Sequence, residues 1–153
     1  MRLLVLLLLL IAAVGAEPQA EAFGPLKLGL GDAAVLKALG PPKSKSKPVL
    51  EAATGLTVSN WKWPKQGLVL TMGRDKPGDP WKIDRLSAVA PCKLRTARGV
   101  GIGDTLEKVR VAYTLGGENG PSDQVVLGDA YGGLIFNLKK GKVVEIFIGA
   151  AAE

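Results

Sequence analysis

The chain contains no histidine and only one cysteine among its 153 residues. Without histidine there is no Ser-His-Asp or Cys-His pair, and no imidazole to serve as a base near neutral pH. A zinc site of ordinary type needs histidine or several cysteines, so it is excluded too. A haem on a proximal histidine goes with it. The lone Cys92 cannot form an internal disulfide, and the ordinary fate of such a residue is burial as a small apolar side chain. These absences lead us to expect a protein that is not an enzyme, carries no cofactor and holds no metal.

What is present begins with a hydrophobic run at the N-terminus. Arg2 precedes Leu3 to Val14, which is almost entirely Leu, Ile, Val and Ala, and Val14-Gly15-Ala16 then offers small side chains. That order matches a secretory signal peptide over residues 1–16, with cleavage after Ala16 or Ala20. A membrane anchor would need roughly 20 apolar residues, more than the run supplies. No cysteine ends it, which argues against lipoprotein attachment. The expected location is periplasmic or secreted. The positive mean hydropathy of the chain, +0.20, is inflated by this segment. The remaining chain has the length of one domain, enough to bury roughly two thirds of its unfolded surface without disulfides.

Internal similarity organises that domain. Leu28-Gly29-Leu30-Gly31-Asp32 is echoed by Val100-Gly101-Ile102-Gly103-Asp104, and a short helical pattern comes after each. Gly67-Leu68-Val69-Leu70-Thr71-Met72 is echoed by Gly133-Leu134-Ile135-Phe136-Asn137-Leu138, with apolar residues at every second position. A third segment, Lys82 to Ala88, matches Lys142 to Ile148. The expected division is a linker over 17–23, one repeat over 24–91 and a second over 92–153.

Each repeat reads as a helix followed by a three-stranded meander. Asp32 and Asp104 are candidate caps, and Glu107 stands three residues after Asp104 as in a capping box. Leu36 and Leu39 give the first helix its apolar face; Leu106, Val109 and Tyr113 give the second its own. Gly40-Pro41-Pro42 stops the first helix and Gly116-Gly117 the second. Period-two alternation predicts strands over 56–63, 68–72 and 82–88, and over 124–131, 133–138 and 142–148. Lys139-Lys140-Gly141 predicts a tight hairpin turn, and the basic stretch from Lys43 to Lys47 between prolines reads as a loop. The fold class expected is α+β, with both meanders joined in one shared sheet.

Gly103-Asp104-Thr105-Leu106-Glu107-Lys108-Val109 and Gly141-Lys142-Val143-Val144-Glu145-Ile146 carry a further likeness. A repeat with these features resembles the tandem-repeat fold of β-lactamase inhibitor proteins, and the small single-repeat lipoproteins of the outer-membrane β-barrel assembly machine. The resemblance implies a sheet whose exposed face grips another macromolecule through side chains, without catalysis. The chain departs from those lipoproteins in lacking their lipid-bearing cysteine, and from the secreted inhibitors in lacking disulfides.

Candidate binding residues emerge from the strand pattern. Trp61 and Trp63 lie two apart in one strand, so both project from the same face. If that face is open they form an aromatic contact platform; if it is closed they are core. Thr71, Arg85, Tyr131, Asn137, Glu145 and Phe147 join them on the expected exposed face. Charge is also unevenly divided. Residues 24–98 hold 14 Lys/Arg against 5 Asp/Glu, whereas residues 99–153 hold 5 against 7. A one-sided positive field favours an acidic protein or an anionic envelope surface; outside the cytoplasm it does not imply nucleic acid. Gly29-x-Gly31 and Gly101-x-Gly103 lack the third glycine of a dinucleotide site. Ser44 to Lys47 has the spacing S-x-x-K but no K-T-G partner. Asp75 and Asp79 are too few for a calcium cage. The sequence therefore points to an exported, non-enzymatic protein that binds a protein or envelope component, or alternatively lays its basic first repeat on anionic headgroups or polymers.

Overall fold

A computed structural model describes residues 21–115, 123–129 and 132–150. The expected signal segment, Gly116-Gly117 and Tyr131 lie outside these residues. Helix α1 spans Asp32–Leu39 and α2 spans Leu106–Tyr113. The strands are β1 (Ser44–Lys45), β2 (Val49–Leu50), β3 (Thr57–Trp63), β4 (Leu68–Arg74), β5 (Lys82–Val89), β6 (Gln124–Asp129), β7 (Gly132–Lys139) and β8 (Lys142–Gly149). They form one eight-stranded sheet in the order β1-β3-β4-β5-β8-β7-β6, with β2 also pairing β3. The class is α+β, and the described strand pairs are antiparallel.

Register makes one face of the sheet the core. Trp61, Leu70, Leu86, Ile148, Leu134 and Leu127 stand in one rank across six strands. Trp63, Leu68, Ala88, Ile146, Phe136 and Val125 form the next rank. All twelve are buried or packed against the buried cluster. Both helices lie on this face. Val35 of α1 and Val109 of α2 are fully buried in the same cluster. The Tyr113 ring sits 5.4 Å from that of Phe136, and Trp63 Nε1 donates to Gly40 O at 3.1 Å, just past the end of α1.

Each helix is led in by a loop bonded to a strand start. Gly29 N donates to Ile83 O, and Ile83 N donates back to Leu30 O. Gly103 N donates to Val143 O, and Val143 N donates back to Asp104 O. The caps differ from the expectation. Gly31 stands at the N-cap of α1 with no side-chain bond. In α2 the cap is Thr105, whose hydroxyl accepts from Lys108 N, because Asp104 is already engaged by Gly101 N at 2.8 Å. The buried residue of α1 is Val35, while Leu36 is 38 % exposed. Helix α2 ends at Thr114, which takes the left-handed conformation.

Three local corrections concern the sheet. The expected loop from Lys43 to Lys47 contains the two-residue edge strand β1, and Lys43 N and Ser46 N donate to Lys62 O and Asn60 O on either side of it. Register slips by one residue after Thr71 on β4 and after Asn137 on β7. The second slip turns Val143 into the core and leaves Val144 exposed, the reverse of strict alternation. The described end of the expected linker is packed, since Phe23 is fully buried and Ala97 N bonds both Ala22 O and Glu21 Oε1. The predicted hairpin turn is present, with positive φ at Lys140 and Gly141.

Candidate functional site

The sheet face opposite the helices is the candidate site. Period two sends every residue between the core ranks to this side. Lys62, Val69, Ser87, Phe147, Ile135 and Val126 form its central rank. Val89, Glu145, Asn137 and Gln124 form a second, and Asn60, Thr71 and Arg85 a third. Val69, Ile135 and Phe147 are half-buried by their strand neighbours, while Val126 is 55 % exposed.

Polar side chains on this face are bonded to one another in a ladder. Ser87 Oγ donates to Glu145 Oε1 at 2.8 Å, and Asn137 Nδ2 donates to Glu145 Oε2 at 2.9 Å. Gln124 Nε2 donates to Asn137 Oδ1 at 2.9 Å. The ladder thus crosses β5, β8, β7 and β6, and each side chain is held in one orientation. On the far side Thr71 Oγ1 donates to Asn60 Oδ1 at 2.9 Å. Arg85 Nη2 donates to Glu51 Oε1 at 2.6 Å, and Thr54 steadies the other Glu51 oxygen at 2.9 Å. Arg85 Nε lies 3.1 Å from Asp84 Oδ2 without an aligned hydrogen bond. The Arg85 bond holds Glu51 below the ordinary carboxyl range, partly opposed by burial. Burial pushes Asp84 up, and the Arg85 charge offsets part of that rise.

Of the residues expected on this face, Thr71, Arg85, Asn137, Glu145 and Phe147 are brought together there. Trp61 and Trp63 are not. They are 2 % and 4 % exposed, because β3 pairs Trp61 with Leu70 and Trp63 with Leu68. An aromatic platform on the open side is therefore corrected to two core rings; Asn60 and Lys62 take the open side instead. Trp61 also packs 6.4 Å from Trp81 and lies under Lys45 Nζ at 3.5 Å. Tyr131 is outside the described residues. The residues missed are Glu51, which comes from a loop with no periodic signal, and the apolar Ile135 and Val126, which alternation with Leu134, Phe136 and Leu127 does mark. Among the described residues no cluster of three or more His, Cys, Asp or Glu could hold a metal ion, and no helix is long and apolar enough to cross a membrane. Comparison with protein-family models, with curated proteins and with solved structures gives no match for this chain.

Proposed function

We propose that this is an exported, non-enzymatic binding protein that grips a protein or other envelope component through the open face of its sheet. One observation carries the reading. On the face away from both helices Phe147, Ile135 and Val126 form an apolar rank, separated from Val69 by Ser87, and a fixed polar ladder that starts at Ser87 runs beside it. A half-buried apolar stripe next to oriented donors and acceptors is the composition of an interface core with its polar rim. The preordered ladder lowers the side-chain entropy lost on binding.

The tandem-repeat reading belongs to the same proposal. It is supported by β4 and β7 slipping register after the corresponding residues Thr71 and Asn137, and by the matched bonds of Gly29 with Ile83 and Gly103 with Val143. At the β5·β8 junction Leu86 faces Ile148 while Ala88 faces Ile146, so corresponding residues exchange places about the Ser87–Phe147 pair. The resemblance to inhibitor proteins and assembly lipoproteins, and export through residues 1–16, are parts of this proposal and rest on the sequence alone.

The test is affinity capture from an envelope fraction with three variants. Phe147→Ala and Val126→Asp should each weaken capture of the same partner by about tenfold or more, as expected for central contacts. Val111→Asp, on the 70 % exposed outer side of α2, should leave it unchanged. Identical capture by all three would overturn the proposal.

A further inference from the structure

We infer that the β1 edge of the sheet docks on a bilayer surface carrying anionic phospholipid headgroups. The inference does not rest on the open-face reading. The edge is built from Lys43 to Leu50, a segment that pairs with β3 first through β1 and then through β2. Lys43, Lys45 and Lys47 alternate along it, and Lys62 and Lys65 are added by β3 and the turn after it. All five are exposed. None of them enters an ion pair among the described residues. Lys45 is held in place by the Trp61 ring beneath it.

Lysine and proline on an edge strand have a plainer use, which is to prevent pairing with another chain. That use does not explain the next two residues. Val49 and Leu50 are 62 % and 68 % exposed, adjacent, and on opposite sides of the strand. Edge protection would place charge there. An aliphatic pair preceded by unneutralised lysines, and followed by a Glu51 whose charge is taken up by Arg85, fits a headgroup layer, where the ammonium groups meet phosphates and the aliphatic tips enter the acyl boundary. A cleft of about 730 Å³ opens at the other end of the same edge, with Pro41, Pro64 and Trp63 as walls and Lys43 and Lys65 beside them. It offers room for a phosphate with the start of its glycerol. A soluble acidic polymer would use the lysines but has no need of Val49 and Leu50.

Vesicle co-sedimentation with the full mature chain tests this. The protein should pellet with phosphatidylcholine vesicles containing about one third phosphatidylglycerol, and not with phosphatidylcholine alone. It should be released near 0.5 M salt, where the Debye length is only about 4 Å. The triple variant K43Q/K47Q/K62Q, which spares the Lys45–Trp61 contact, should lower partitioning by about tenfold or more. V49S/L50S should lower it several-fold, and the remaining binding should be released at lower salt. Phe147→Ala should bind vesicles as the unaltered chain does, which separates this test from that of the open face. Equal pelleting with neutral vesicles, or undiminished binding by K43Q/K47Q/K62Q, would overturn the inference. So would vesicle binding that V49S/L50S leaves untouched with polyglutamate bound as tightly, which would assign the edge to a soluble acidic polymer.

Discussion

At the scale of single residues, the two tryptophans of β3 change role between sequence and structure. Period two states correctly that Trp61 and Trp63 share a face, but it does not state which face is covered. Asn60 and Lys62 make the strand amphipathic in one sense, and two large aromatics fit an interface as readily as a core. Pairing with Leu70 and Leu68 decides the matter. Trp61→Ala should therefore cost about 3–5 kcal/mol in stability, read as a shift in the denaturant midpoint, and affect binding only through folding. A variant that unfolds like the parent would contradict its burial. Asp104 gives a pH signature. Burial raises its pKa, but hydrogen bonds from Lys108, Gly101 N and Arg95 outweigh that and leave it below its ordinary 3.8. A lowered folded pKa means the native state releases this proton more readily than the unfolded chain. Its stabilisation is thus present above pH 3.8 and is lost as pH falls through the folded value. The stability gap between the parent and Asp104→Asn should close on acidification. A gap constant down to the acid limit would remove Asp104 as the source.

At the scale of elements, the long strands are legible in the sequence because alternation holds over about five residues on one side of each slip, as in Leu68-Val69-Leu70-Thr71-Met72. The two-residue strand Ser44–Lys45 is not, since two residues carry no period. The slip that turns Val143 inward is equally hidden, because inserting one residue reverses alternation without changing composition. The cap of α2 lies one position beyond the expected one because Asp104 and Thr105 are both capable of capping. The turn from β3 into β4 has a sharper requirement. Gly67 sits at φ 65°, and a Cβ there would stand 2.1 Å from Val89 O and 2.8 Å from Cys92 N. The carbonyl of Gly67 accepts from Val89 N at 2.9 Å. Gly67→Ala must therefore push β4 away from the end of β5. We expect a loss of more than about 2 kcal/mol, with the measured unfolding midpoint as the check. Near-parental stability would mean that this approach relaxes without cost.

At the scale of the whole molecule, a shared sheet is legible because each meander leaves an apolar side that only the other half and the helices can cover. The junction itself, Leu86 to Val89 against Glu145 to Ile148, cannot be read from one chain's alternation, since pairing between distant strands is set by packing. The buried cluster runs without a break from Phe23 through Trp61 to Phe136 and Ile148. The halves should accordingly unfold together. All three tryptophans, at 61, 63 and 81, lie before the junction, so their fluorescence tracks the first half, while far-ultraviolet dichroism tracks both. The two transitions should coincide; separate midpoints would make the halves independent. A last consequence comes from Cys92, the single thiol, which is 6 % exposed and whose pKa burial raises. Because the native thiol is shielded from reagents, a cysteine introduced at Val126 or Lys47 would be the one to react with a maleimide. Spin labels or fluorophores can then be attached at a chosen spot, with no need to delete the natural sulfur first.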